Sequence, residues 1–143
     1  PVTVDTNDLF VSGWFTSDYA LGKKSQYLSL YDVDTKKELQ RIRTTPIERK
    51  DVNGKYGNVY GSAMSGFSGR FKYNGSLVGR KLQVIARWSD DAKYGEGQHV
   101  DYWFDPFNGP AMPLLDGNST ITIRCHDFSA KRFDDDTIEV TMK

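Results

Sequence analysis

Apolar and polar residues alternate with a period of two along most of the chain, in short runs separated by glycine, asparagine and aspartate. This period is typical of β-strands with one buried face and differs from the period of about 3.6 residues in a helix. In the cleanest run, residues 80–89, Leu82, Val84 and Ala86 share one face. The predicted strands are 9–16, 27–32, 39–45, 66–73, 80–89, 100–105, 119–128 and 137–143, with a short lead strand at 2–5.

These strands predict an all-β fold, a two-layer antiparallel β-sandwich of about seven or eight strands. No segment shows a convincing helical period. The length is common for one domain, so we interpret residues 1–143 as a single β-sandwich domain. Residues 106–118 hold three of the five prolines, which indicates a connector. The strands in 119–143 are expected to complete the sheets, because two strands alone are marginally stable.

Two segments interrupt the alternation and are predicted to be loops. Residues 47–65 contain several glycines together with Tyr56 and Tyr60, and residues 90–98 form a shorter glycine-bearing loop. Irregular loops as long as the first are usually functional or disordered. The two loops are therefore the predicted location of a binding site.

The charge balance and the short apolar runs exclude some classes of protein. Nineteen basic and nineteen acidic residues give a formal charge of zero, so no overall field attracts nucleic acid. No apolar run approaches the roughly 20 residues of a transmembrane segment. Because the chain opens on Pro1 without a methionine or a signal sequence, we expect it to be part of a longer protein.

No cluster of residues predicts catalysis, a metal or another cofactor, so we interpret the chain as noncatalytic. His99 and His126 lie far apart and lack the spacing of a metal site. The lone Cys125 excludes an internal disulfide and is predicted to be a buried small hydrophobe. The segment from Asp32 to Glu38 resembles a calcium loop but lacks its central glycine, which favours a hairpin turn. The acidic triplet 134–136 is a better cation candidate, although a solvated turn is again favoured.

Aromatic and basic side chains are the more informative candidates for binding. Exposed aromatic rings stack on the apolar faces of sugars, and paired arginines on a strand can clamp phosphates or carboxylates. The alternatives are that the rings complete the core and that the arginines form a solvated sheet face. Basic residues also pair at Lys23-Lys24. The predicted polysaccharide-binding residues are Trp14, Tyr31, Arg41, Arg43, Arg49, Tyr56, Tyr60, Arg87, Tyr94 and Trp103.

Several spaced motifs follow one another over about residues 8–105. They are VSGWF at 11–15, YLSLYD at 27–32, RKDV at 49–52, SGF at 65–67, QVIARWSD at 83–90, GEG at 95–97 and VDYWF at 100–104. Together they resemble a β-rich, often repeated module of extracellular and cell-surface proteins and some cell-wall hydrolases of lactobacilli. The resemblance implies an extracellular, noncatalytic module that anchors its parent protein by binding exopolysaccharide, teichoic acid or another wall glycopolymer. No binding residue is carried over from that family.

Two alternatives stay open at this point. A structural spacer or self-assembly domain of a surface-layer-associated protein would show no affinity for glycans and would associate with itself through strand edges. A phage receptor-binding domain would form oligomers, commonly trimers. Complete burial of the aromatic rings would favour the spacer.

Overall fold

The computed structural model describes the backbone of residues 6–110, 120–126 and 137–142 and the side chains of residues 8–110. Most of the regular structure consists of strands in two sheets, which confirms the all-β prediction. A short helix, α1, spans Lys50–Tyr56, and 3₁₀ turns span Asp18–Ala20, Ser62–Met64 and Gly75–Leu77. The strands are β1 (Thr6–Trp14), β2 (Ser25–Asp32), β3 (Lys37–Thr44), β4 (Gly66–Asn74), β5 (Lys81–Ser89), β6 (His99–Trp103), β7 (Phe107–Asn108), β8 (Thr120–His126) and β9 (Thr137–Met142).

The first sheet has the strand order β4-β1-β8-β9, and the second has the order β3-β2-β5-β6, with the two-residue β7 also paired to β5. Neighbouring strands are antiparallel except for β1 and β8, which run parallel. A parallel pair needs a crossover connection, whereas a hairpin turn yields an antiparallel pair. The chain between β1 and β8 includes the whole second sheet, so it serves as that crossover.

One hydrophobic cluster draws side chains from both sheets. Leu9 and Val11 of β1 belong to it together with Leu28 of β2 and Val84 of β5, and all four are almost fully buried. The sheets approach closely at Gly69, where an added Cβ would lie 2.7 Å from the Ile42 Cδ1 atom. The alternation seen in the sequence therefore marks the faces that the two sheets turn toward a shared core.

The two sheets also meet at one edge, where β3 lies beside β4. The Gln40 Nε2 atom donates to the Lys72 carbonyl (2.7 Å), and the Lys72 N–H donates to Gln40 Oε1 (2.8 Å). A further bridge joins Ile47 to Gly66. The amide of Gln40 thus occupies backbone groups that would otherwise be unpaired at the edge of the first sheet.

The prediction that the segment 47–65 is an irregular loop throughout was wrong, because α1 lies inside it. Its seven residues include Gly54 and show no amphipathic period that the sequence alone would reveal. Val52 is buried and Tyr56 packs against the core, so tertiary contacts stabilise this helix. The predicted lead strand at 2–5 and the acidic triplet at 134–136 lie outside the described residues, as do the side chains of Cys125 and His126.

Candidate functional site

Half of the predicted binding residues lie on the outer face of the second sheet, the face turned away from the core. The register of β3, β2, β5 and β6 arranges their side chains in three rows, with a bulge between Leu30 and Tyr31 that shifts Leu39 out of the alternation. The rows are Arg43, Tyr27, Arg87 and Asp101; then Arg41, Ser29, Ile85 and Trp103; then Glu38, Tyr31 and Gln83.

The loop 90–98 lies against the first of these rows. Its carbonyl groups accept hydrogen bonds from three arginines and one tyrosine of the sheet. The contacts run from Arg43 Nη1 to Ala92 O (2.6 Å), from Arg41 Nη1 to Tyr94 O (3.1 Å), from Arg87 Nη1 to Gly95 O (2.6 Å) and from the Tyr27 hydroxyl to Asp91 O (2.9 Å).

Two of these guanidinium groups, those of Arg41 and Arg87, also pair with carboxylates of the protein. Arg87 forms two hydrogen bonds with Asp101 (2.7 and 2.8 Å). Arg41 binds both Glu38 and Glu96. Burial raises the pKa of Glu38, but hydrogen bonds from Arg41 and from the Ser29 hydroxyl outweigh it and hold that pKa below its ordinary value. The arginines predicted to clamp a polyanion therefore hold the loop and its neighbouring carboxylates.

Arg49 has a similar role away from that face. Its guanidinium forms a two-point pair with Asp51 (2.9 and 2.7 Å) at the start of α1. The hydrogen bonds from Arg49 lower the pKa of Asp51 to about 2. Arg49 also approaches the Gly13 carbonyl (3.5 Å), so it joins α1 to β1.

Asp91 and Gly95 shape the loop itself. The Asp91 carboxylate accepts hydrogen bonds from the N–H groups of Lys93, Tyr94 and Glu96, which lower its pKa below the ordinary value. Gly95 has a φ of +72°, and an added Cβ would lie 2.8 Å from the Tyr27 ring. Glycine is needed there because the loop backbone contacts the tyrosine ring directly.

The predicted aromatic residues lie in three different environments: the core, the outer face of the second sheet and the loops. Trp14 is only 6% exposed and lies 5.4 Å from the half-buried Tyr56 ring, so it completes the core and presents no face to a sugar. Tyr31 and Trp103 contact each other edge to face, with ring centroids 4.9 Å apart. Tyr60 and Tyr94 are exposed in the two loops.

A cleft of about 310 Å³ lies beside Tyr60, between the 3₁₀ turn Asp18–Ala20 and the end of the segment 47–65. We call it the Tyr60 cleft. The Tyr60 N–H donates to Asp18 Oδ1 (2.9 Å), and the Thr16 hydroxyl donates to the Tyr60 carbonyl, so the two segments are joined. The residues that line it are Thr16, Ala20, Lys23, Lys24, Pro46, Tyr60, Gly61, Met64 and Trp88.

A second, more open cleft adjoins the first and shares Lys23 with it; we call it the Tyr19 cleft. It is lined by Tyr19, Lys23, Gly97, Gln98, His99 and Val100. We refer to these two clefts, which share Lys23, jointly as the lysine groove. The predicted loops 47–65 and 90–98 each contribute lining residues to it.

Sequence reasoning missed Tyr19 and placed neither Lys23 nor Lys24 in the site. Tyr19 is 79% exposed, which is the largest exposure of any described aromatic residue. Neither lysine forms an ion pair with a carboxylate of residues 8–110, whose side chains are described. The only signal in the sequence was the pair Lys23-Lys24 next to Gly22, in a segment without alternation.

The candidate calcium loop is a hairpin turn. Asp32 is buried and pairs with Arg80 (2.6 Å), and its Oδ1 atom accepts hydrogen bonds from the N–H groups of Asp34 and Thr35. Among the residues with described side chains, no group of three or more potential ligands is arranged to hold a metal ion. No helix in the described part of the chain is long and apolar enough to cross a membrane.

Comparison with known proteins finds no relative. No protein-family model matches the chain, and no similar protein is found among curated proteins or solved structures. The resemblance to a surface module of lactobacilli therefore stays a prediction that rests on the motifs alone.

Proposed function

We propose that the protein is a noncatalytic module of the bacterial cell surface that binds an anionic cell-envelope polysaccharide in the lysine groove. Teichoic acid and charged exopolysaccharides belong to this class of ligand. The binding anchors the parent protein to the envelope. The motifs that resemble a surface module support the location, and the geometry of the groove supports the ligand class.

The observation that carries the proposal is that two lysines line clefts that each contain an exposed tyrosine ring. Lys23 lines both clefts, Lys24 lines the Tyr60 cleft, and neither is paired with a described carboxylate. A lysine that has no internal partner is available for a phosphate or a carboxylate of a ligand. By contrast, the guanidinium groups of the outer face are already engaged within the protein.

Rings on either side of the lysines suit a linear polymer of sugars. Tyr60 and Met64 are exposed at one end of the groove, and Tyr19 is exposed at the other. Sugar rings stack on the tyrosines while the charged groups between them meet the lysines, much as aromatic rings and cations combine in the binding of other polyanions. The exposed side chain of Gln98 offers hydrogen bonds to hydroxyl groups.

The test is binding of the purified protein to cell walls before and after chemical removal of teichoic acid and exopolysaccharide, at low and high salt. The double variant Lys23→Ala/Lys24→Ala is compared with Lys37→Ala/Lys72→Ala, which removes the same charge from exposed strand positions. We expect the groove variant to bind at least about tenfold more weakly and the control to bind like the wild type.

Salt provides a second criterion. Exposed charges are screened over about 8 Å at physiological ionic strength, so high salt should weaken the wild type and leave little difference between it and the groove variant. Equal binding of the groove variant and the wild type at low salt would contradict this site. An absence of binding to every wall fraction would contradict the function and favour a spacer or assembly domain.

A further inference from the structure

We propose a second binding surface, for an uncharged sugar, formed by Tyr31, Ile85 and Trp103 on the outer face of the second sheet. We call it the Trp103 surface. It is separate from the lysine groove and does not depend on the function proposed for that groove.

Trp103 is the one tryptophan whose ring is accessible. It is 45% exposed, whereas Trp14 and Trp88 are 6% and 8% exposed. The Tyr31 ring contacts it edge to face, at an interplanar angle of 80°, which limits the motion of the indole. Ile85, directly opposite Trp103 in the β5–β6 register, is buried beside it. The result is a supported aromatic face of the kind that stacks on a sugar ring.

The polar groups near this surface favour a ligand without charge. Glu38, opposite Tyr31 in the register, shares Arg41 with Glu96, and Asp101, two residues before Trp103, pairs with Arg87. The guanidinium of Arg43, on the same face, balances the remaining carboxylate. The carboxylates can accept hydrogen bonds from sugar hydroxyls and the guanidinium groups can donate to them, while the set has little net charge. The other cation on the same face of β5 as Arg87 is Lys81, beyond Gln83 at the end of the strand.

The extent of the surface favours a sugar over a protein partner. A stable protein interface covers about 800 Å² on each side. On β2, β5 and β6, all of whose side chains are described, Trp103 is the one large hydrophobic side chain that is exposed. A single indole supported by one tyrosine corresponds to the apolar face of one or two sugar rings.

The Trp103 surface and the lysine groove lie on different sides of the loop 90–98. His99, which lines the groove, and Trp103 are at the two ends of β6, four residues or about 13 Å apart. Between them, Arg87 of the neighbouring strand binds the loop carbonyl of Gly95. One surface can therefore be altered without touching the other.

Tryptophan fluorescence tests the proposal, with maltohexaose, cellohexaose, laminarihexaose and chitohexaose as uncharged probes at millimolar concentration. We expect at least one probe to shift the emission to shorter wavelength and to protect the protein from acrylamide quenching, equally at low and high salt. In Trp103→Ala, the emission shift should be absent, and the affinity measured by calorimetry should fall by at least about tenfold. Lys23→Ala/Lys24→Ala should respond like the wild type, so the two proposals can fail separately.

Three outcomes would overturn the Trp103 surface. One is the absence of any response to all four probes. Another is a shift that persists in Trp103→Ala, because that signal would come from Trp88 in the Tyr60 cleft. The third is protection of Trp103 that rises with protein concentration without sugar, which would show that a second copy of the chain covers it. Trp103→Phe serves as the conservative variant and should retain part of the affinity, because a smaller ring still stacks.

Discussion

Asp91 holds the loop 90–98 in place through a single carboxylate. It accepts three backbone hydrogen bonds, and they lower its pKa below the value of about 3.9 that an aspartate has in an unfolded chain. A carboxylate of this kind stabilises the folded state above its unfolded pKa. The contribution is lost as the pH falls through the folded pKa.

We therefore expect Asp91→Asn to lower the midpoint of thermal unfolding at neutral pH and to matter progressively less as the pH falls below about 4. Thermal unfolding followed by circular dichroism from neutral pH to about pH 3 measures the gap between variant and wild type. Asp34→Asn, in an exposed part of the β2–β3 turn, is the control and should show no such closing gap. A gap that is independent of pH would show that the charge of Asp91 does not stabilise the loop.

Gly95 is the position where the loop backbone cannot carry a side chain. Its φ of +72° and its contact with the Tyr27 ring both oppose a Cβ atom. We expect Gly95→Ala to reduce the free energy of unfolding by about 1–3 kcal/mol, measured by urea denaturation. Gly75→Ala is the matched control, because nothing lies within 4 Å of its added Cβ. Equal effects of the two substitutions would contradict the close approach of loop and ring.

The edge formed by β3 and β4 depends on one amide side chain. Gln40 both donates to and accepts from the backbone of Lys72, and this arrangement occupies an edge strand that could otherwise pair with another chain. Glutamate at this position could accept but not donate, and alanine could do neither.

We expect Gln40→Ala to reduce the free energy of unfolding by about 1–2 kcal/mol and to increase self-association. Urea denaturation and light scattering at several protein concentrations measure the two effects. Gln40→Glu should be intermediate, since one of the two hydrogen bonds is kept, and Lys37→Ala on the same strand should match the wild type. If Gln40→Ala is as stable and as monodisperse as Lys37→Ala, then the amide does not protect the edge.

The two proposed surfaces differ in chemistry, one cationic and one aromatic and uncharged. If both proposals hold, an envelope polymer with charged and neutral stretches would engage the lysine groove and the Trp103 surface together, and its binding would exceed that of either contact alone. If both proposals hold, high salt should weaken binding in the lysine groove and leave binding at the Trp103 surface unchanged. The two contributions can thus be separated on intact walls.

We expect the wild-type protein to keep some affinity for intact cell walls at high salt. We expect Trp103→Ala to lose this remaining affinity. At low salt the combination of Trp103→Ala with Lys23→Ala/Lys24→Ala should bind more weakly than either change alone. A pull-down at the two salt concentrations with the four proteins measures both effects. If Trp103→Ala and the wild type bind equally at high salt, then the Trp103 surface does not contribute to wall binding.

Local alternation placed the strands except the two-residue β7, which lies in the predicted connector 106–118. A side-chain period of two depends only on the backbone conformation of neighbouring residues. It located the apolar face of β5 through Leu82, Val84 and Ala86, all of which are buried. It also singled out the segments 47–65 and 90–98, both of which contribute to the lysine groove. It did not reveal α1, whose stability comes from Val52 and Tyr56 on the core.

What each aromatic or basic side chain contacts was decided by packing between distant segments. Trp14 and Trp103 both lie on alternating strands, yet one is covered by Tyr56 and the other faces outward. The chemistry of an anion clamp is present in Arg41, Arg43 and Arg87. Because the loop 90–98 lies beside them, however, their guanidinium groups donate hydrogen bonds to its carbonyl groups. A short-range pattern specifies which way a side chain points, whereas its partner depends on residues tens of positions away, which only the folded chain brings together.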